Sequence, residues 1–330
     1  AKKMRTRLGK GSMHVRTWRI MLAFASALLA AACAPFSRDI PYATLESRYG
    51  NGASQYLELS GGVRVHYRVH GPQDAPALVL VHGFAASLHS WEPWVERLQG
   101  RYRIISVDLP GHGLTRTPPD YVFSASSNAE LIDELMHQLG VQRFALAGHS
   151  MGGAVAVRYA LRHPERLDAL VLVGAAAWPS GERAGRTPLV FQLLRNPLGR
   201  AALRYVNPRL FAQRGLASAY HDPALADEAL VHRYVDLARA PGRRAMLTSG
   251  RNNSADAPLR PEDVAAIAAP TLVMHGEHDR IIAIGAGRAL AAAIPGARLI
   301  AYPDAGHLPH EELPDQTAHD LDAFLQDRAR

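Results

Sequence analysis

Phe144-Ala145-Leu146-Ala147-Gly148-His149-Ser150-Met151-Gly152-Gly153 is the stretch on which the reading of this chain turns. Its first four residues are a short apolar run, as expected of a strand buried on both faces of a parallel sheet. From Gly152 to Arg162, through Val155, Val157 and Tyr159, the residues read as a helix. Between strand and helix stands the pattern G-x-S-x-G. A serine held on a tight, strained turn needs small neighbours on both sides, and Gly148 and Gly152 supply them. Taken alone the pentapeptide is a weak signal, because Gly and Ser are common in plain turns. Its strand-to-helix setting makes it a nucleophile elbow with Ser150 at the tip, pointing to the C-terminal end of the sheet. There the first N–H groups of the helix face any negative charge that develops.

Further short apolar runs lie on either side: Ala77 to Val81, Ile104 to Val107 and Ala169 to Val173. Between them run helical stretches such as Ser127 to Leu139, with Leu131, Leu135 and Leu139 on one stripe, and the helix expected over Trp91 to Leu98. Strand and helix in alternation predict an α/β fold with a mostly parallel central sheet and helices on both faces. Ahead of this, Tyr56 to Leu59 and Val63 to Val69 alternate apolar with polar residues around Gly61-Gly62, which predicts a β-hairpin. The alternation stops near Trp178 and resumes at Thr271 to Met274. The intervening stretch, rich in Arg, Pro and helical spacing, reads as a helical cap insertion. Leu299 to Tyr302 and a helix over Asp315 to Gln326 close the fold. The expected organisation is a leader over 1–33, a tether of little order over 34–55, the core over 56–177 and 263–330, and the cap over 178–262.

On these motifs and their order the chain resembles the α/β-hydrolase superfamily over nearly all of residues 56 to 330. The resemblance implies a Ser-Asp-His triad, in the chain order that this fold uses. His275-Gly276-Glu277-His278-Asp279 follows a strand, and the resemblance places the acid at Asp279, with Glu277 as competitor. Twenty-eight residues on, Asp304-Ala305-Gly306-His307 puts the base, His307, in the loop after the last strand. After Ala77 to Val81 comes His82-Gly83-Phe84, and the resemblance makes the N–H of Phe84 one oxyanion donor and that of Met151 the other. His82 itself reads as a brace for its loop. Asp108 and His112, in Asp108-Leu109-Pro110-Gly111-His112-Gly113, read likewise as loop-fixing residues, and Asp108 precedes the nucleophile, where the acid of this fold does not stand.

The nucleophile prunes the relatives. Epoxide hydrolases and haloalkane dehalogenases of this fold have Asp where this chain has Ser150, whereas esterases, lipases and carbon–carbon bond hydrolases use Ser. Leu308 follows the triad histidine where the carbon–carbon hydrolases usually carry Trp, so the likeness is to the esterase and lipase branches. The expected activity is therefore cleavage of a small-molecule carboxylic ester through an acyl-enzyme. The alternatives are carbon–carbon hydrolysis of the meta-cleavage type and a hydrolase-like lipoprotein that binds without turnover. Phe191, Leu193, Leu194, Tyr205, Phe211 and Tyr234 of the cap could line an acyl pocket or simply pack the cap on the core. No cofactor is expected. Nor is a metal, since none of the sixteen histidines sits in a metal-ligand spacing with a catalytic acid to spare.

The net charge of +7 comes entirely from residues 1–33, which hold seven Lys or Arg and no acid. The remainder balances 30 basic against 30 acidic residues and carries no electrostatic footprint for nucleic acid. Basic residues 1–19 run into the mostly apolar Ile20 to Ala32, the layout of a secretory signal peptide. That apolar stretch is 13 residues, short of the ~20 that span a bilayer as a helix. Leu28-Leu29-Ala30-Ala31-Ala32-Cys33 resembles the lipobox of bacterial lipoproteins, although its Leu stands one place further from Cys than that family prefers. The resemblance implies lipidation of Cys33, a membrane anchor and, with Ala34 rather than Asp next, an outer-membrane address. Ordinary cleavage and release to the periplasm is the alternative. Cys33 is the single cysteine, so the body can form no internal disulfide.

Overall fold

The computed structural model describes residues 37–177, 189–249 and 256–329. The leader, with Cys33, and the first cap residues from Trp178 lie outside the described residues, as does the side chain of Phe191.

Among the described residues the strands are β1 Ser54–Leu59, β2 Val63–His70, β3 Ala77–Val81, β4 Arg103–Val107, β5 Phe144–His149, β6 Leu167–Val173, β7 Thr271–Gly276 and β8 Arg298–Tyr302. They form one sheet in the order β1-β2-β4-β3-β5-β6-β7-β8. β1 and β2 pair as the expected hairpin, Leu59 opposite Val63, and β2 pairs antiparallel with β4. Every other pairing is parallel. Gly61 and Gly62 carry φ of 70° and 71° at the hairpin turn, where a side chain would be strained.

The continuous apolar runs are explained by burial on both faces. Val79, Val81, Leu146, Leu170 and Leu172 belong to one core, while Leu78, Leu80, Ala145, Ala147 and Val171 belong to the other. Side chains alternate along a strand, so each face takes every second residue. Burying each of these Val and Leu side chains contributes about 1.5–3 kcal/mol relative to exposure.

The helices, in chain order, are α1 Tyr42–Tyr49, α2 Glu92–Leu98, α3 Ala125–Gln138, α4 Met151–Arg162, α5 Leu189–Leu194, α6 Pro197–Leu203, α7 Arg209–Ala219, α8 Glu228–Ala238, α9 Arg243–Leu247, α10 Pro261–Ala265, α11 Ile284–Ala293, α12 Pro309–Glu312 and α13 Pro314–Ala329. α3, α4 and α11 cover the first core, through Leu135, Val157 and Leu290. α2 and α13 cover the second, through Trp94, Leu98, Leu321 and Phe324. α3 starts where Ser124 and Ser127 cap each other's backbone N–H groups. α5 to α9 make the cap. Its own apolar cluster, Leu216, Ala219, Tyr220, Val231 and Val235, includes one core residue, Leu308.

The tether expected over 34–55 is ordered from its middle onward, which corrects the reading of that segment. α1 packs between core and cap, with Leu45 fully buried beside Ile40, Leu114 and Leu237. Its polar edge is tied down as well: Arg48 and Tyr49 both reach Asp236 of α8, at 2.8 and 3.0 Å, and Arg116 pairs with Glu46 at 2.6 Å. The Ile40 N–H donates to the Arg239 carbonyl at 2.8 Å. Among the described residues no helix is long and apolar enough to cross a membrane.

Candidate active site

β5 lies between β3 and β6, so its C-terminal end opens at the middle of the sheet edge. Ser150 follows it directly, with φ 50° and ψ −115°. Ser150 and Ala85, at φ 60°, are the two non-glycine residues with positive φ among the described residues. Both sit at the same opening, and strained backbone of this kind costs about 1–3 kcal/mol at each position and persists only where the surroundings over-determine it. Around Ser150 they do. Its N–H donates to the Val173 carbonyl at 3.0 Å, and its carbonyl accepts from Gly153 and Ala176, each at 2.9 Å. A Cβ on Gly148 would lie 2.3 Å from the Gly152 carbonyl oxygen, and one on Gly152 would lie 2.2 Å from that of Val81. Backbone oxygens cannot yield as a flexible side chain can, so both turn positions require glycine.

Met151 is the first residue of α4, so its N–H has no carbonyl within the helix to pair with. Phe84 stands next to the strained Ala85 and lines the same cavity as Ser150. His82 braces this loop, as its sequence position suggests: Nδ1–H donates to the Gly83 carbonyl at 2.8 Å and Nε2 accepts from Leu109 N–H at 3.0 Å. Asp108 is fully buried and occupied elsewhere, against His66 Nδ1 at 2.6 Å and the N–H groups of Leu88 and Leu114, each at 2.8 Å. Burial alone would raise its carboxyl, but the hydrogen bond and charge of His66 outweigh that and hold it far below the ordinary range. It is a loop clamp.

Asp279 and His307, the expected acid and base, follow the ends of β7 and β8. His307 Nδ1 donates to Asp279 Oδ2 at 2.7 Å. Asp279 Oδ1 accepts from the N–H groups of Ile281 and Ile282, both at 2.8 Å, which fixes the carboxylate plane. His275 Nε2 stands 3.2 Å from Oδ2 while bonded to the Ile282 carbonyl at 2.9 Å. Burial pushes the Asp279 carboxyl up, but His307 and His275 together pull it well below the usual carboxylate range. The competing Glu277 is exposed. Both His307 and Ser150 line one cavity of about 240 Å³ beneath the cap. The remaining wall is chiefly apolar, with Leu194, Phe211 and Tyr234 among its residues as sequence allowed, and Val206, Leu216 and Leu247 besides. Leu193 and Tyr205 do not line it.

Two histidines that sequence did not single out frame His307. His149 Nε2 donates to the His307 carbonyl at 2.9 Å, and burial holds its ring neutral. His310 is fully buried, its ring centroid 4.4 Å from that of Trp91 and 4.8 Å from that of His149, and burial lowers it to about 3. The signal for His149 is its place inside the elbow motif, where an apolar residue would serve packing as well. His278 stacks on His221 at 4.1 Å, off the site, and His319 is exposed. No group of His, Cys, Asp and Glu fit to hold a metal ion occurs among the described residues.

Comparison with known proteins agrees with this fold. A family model described as the alpha/beta hydrolase fold matches residues 76–314. The chain is 29% identical over 267 residues to the pimeloyl-[acyl-carrier protein] methyl ester esterase of Nitrosomonas europaea, covering 79% of this chain and 99% of the relative. It is 31% identical over 229 residues to the 2-hydroxymuconate semialdehyde hydrolase of Pseudomonas putida, covering 68% of this chain and 76% of the relative. Among solved structures, a membrane phospholipase A described as a bacterial virulence factor superposes with a TM-score of 0.72 at 25% identity, over 96% of this chain and 99% of that one.

Proposed function

The chain belongs to the α/β-hydrolase fold family, and from that premise we propose that it is a serine hydrolase of carboxylic esters working through an acyl-enzyme on Ser150. The observation that carries the proposal is the 2.7 Å bond between His307 Nδ1 and Asp279 beside a cavity that also contains Ser150. With Nδ1–H held by the carboxylate, Nε2 is the ring's basic nitrogen. It takes the Ser150 proton as Oγ attacks the ester carbonyl, and Asp279 stabilises the imidazolium that forms. The N–H groups of Phe84 and Met151 receive the oxyanion, each worth about 3–4 kcal/mol of barrier. His307 then returns its proton to the leaving alkoxide, and water, activated by the same nitrogen, releases the acid. The apolar wall suits an acyl limb of several carbons.

Likeness to an esterase and to a phospholipase A supports the ester reading. Likeness to a semialdehyde hydrolase keeps carbon–carbon cleavage as the second reading. Leu308, buried in the cap's apolar cluster directly after the base, favours the first. Hydrolysis of p-nitrophenyl esters from acetate to decanoate, set against a vinylogous diketone of the meta-cleavage type, separates them. Turnover of the esters with a maximum at intermediate length is the expected result; cleavage of the diketone alone would transfer the chain to the second reading.

The basic and apolar leader ending at Cys33 supports export with lipidation of that cysteine and attachment to the outer membrane. Globomycin should then make an unprocessed precursor accumulate. Normal processing of Cys33→Ser would defeat the anchor.

A further inference from the structure

We propose that Glu312 is a positioning residue for His307 and that, through it, the cap and not the core alone sets the base in place. The inference rests on the ester-hydrolase reading of the site. The loop that carries His307 is hydrogen-bonded to one short cap segment, Ala219-Tyr220-His221, at the end of α7. His307 N–H donates to the Ala219 carbonyl at 2.6 Å. Glu312 spans the junction with both carboxylate oxygens: Oε1 accepts from Gly306 N–H at 2.7 Å, on the core side, and Oε2 from His221 N–H at 2.6 Å, on the cap side. Next to it, Tyr220 Oη–H donates to Glu311 Oε2 at 2.7 Å.

Three features make this more than ordinary domain packing. The approach is close enough that a Cβ on Gly306 would lie 2.5 Å from the Ala219 carbonyl oxygen and 2.7 Å from His221 N. The residue bonded to Glu312 Oε1 is the immediate neighbour of the base, so a shift of this carboxylate is passed to His307 across one peptide unit. The junction is also a partition. Ala219, His307 and Leu308 face the Ser150 cavity, whereas Tyr220 and Glu311 face a second cavity of about 590 Å³ on the other side. Any displacement of the cap that widens either cavity therefore strains the bonds holding the base. A carboxylate suits the task because it is acceptor-only, with two oxygens to offer two opposed N–H groups. Gln keeps one acceptor oxygen and turns a donor toward the other N–H.

A double-mutant cycle with His307 tests this, read by p-nitrophenyl ester turnover and by the rate of fluorophosphonate labelling. Glu312→Ala should lower kcat about 10- to 100-fold, as misplacement of a reacting group does, leave KM within about twofold, and slow labelling by the same factor. Glu312→Gln should fall between. In the His307→Ala background the Glu312 change should cost nothing further, because there is no base left to misplace. Equal losses in both backgrounds would reduce Glu312 to general stability, and unchanged kcat in a folded variant would also overturn the proposal. Should Glu312→Ala not fold, the near-isosteric Glu312→Gln carries the same cycle, with the same outcomes for and against. A wild-type protein that neither turns over esters nor accepts the label would instead remove the ester-hydrolase reading, and this inference with it.

Discussion

The Ser150 side and the His307 side of the site are built differently. Ser150 is fixed by core backbone alone: strand β5, the first turn of α4 and the ends of β3 and β6 hold it in a strained conformation, and two glycines permit the approach. His307 is held by side chains and by the cap, through Asp279, His149, the Ala219 carbonyl and the Leu308 contact with cap residues. The first arrangement is continuous with the sheet and cannot move without unmaking it. The second can be loosened while the sheet stays whole. On the proposed mechanism this places the sensitivity to cap position on proton transfer, not on the nucleophile.

Perturbing each side in turn sharpens the contrast. The largest effect belongs to the His307 side. Asp279→Asn keeps the oxygen that accepts from Ile281 and Ile282 but turns an amide toward His307 Nδ1, which forces the wrong tautomer. A fall in kcat of about 10⁴, as for the analogous change in a known triad, should appear in steady-state ester hydrolysis with the melting temperature nearly intact. Gly152→Ala attacks the Ser150 side. Its Cβ meets the Val81 carbonyl oxygen at 2.2 Å, so stability and activity should fall together, by about 1–3 kcal/mol or more in denaturant titration. Gly306→Ala puts a Cβ 2.5 Å from the Ala219 carbonyl oxygen, so it should cost stability too, but less than the change at 152 because the cap segment can shift where the sheet cannot, while kcat falls about tenfold. A variant at 306 that unfolds as readily as that at 152 would erase the distinction.

A smaller effect comes from Glu311, whose carboxyl burial raises from 4.5 to about 7. Between those values the unfolded chain has released a proton that the folded chain retains, so this group lowers stability as pH rises through the interval and keeps it low above. Glu311→Gln retains an acceptor for Tyr220 without the charge. It should melt with the wild type near pH 4 and a few degrees higher at pH 8; equal melting temperatures at both would contradict the assigned burial. Smallest is Arg48→Ala. Its pair with Asp236 joins α1 to the cap, but the Arg side chain is 53% exposed, and such pairs are worth about 0–1 kcal/mol. Unfolding curves should barely separate.

The same contrast governs what the sequence discloses. The elbow and the buried strands are legible because they rest on local rules: runs apolar on both faces, small residues at a tight turn, strand followed by helix. The expected acid and base follow from motif order through the resemblance, and the structure joins those two residues, His307 and Asp279. The segment 42–49 reads as tether because Pro41, Gly50 and Gly52 flank it, although Tyr42, Leu45 and Tyr49 stand three, four and seven apart as an apolar stripe does, and that stripe is what docks. Glu312 is not legible at all. Its partners lie on the neighbouring loop and on a cap segment some ninety residues upstream, and nothing in a run of Glu311-Glu312 distinguishes a clasp from a solvated helix end.

The most direct test of the account is where a fluorophosphonate attaches. One equivalent on the peptide that contains Ser150, lost in Ser150→Ala and slowed at least a hundredfold in His307→Ala, is the expected result. An adduct at another residue, or labelling indifferent to His307, would contradict it.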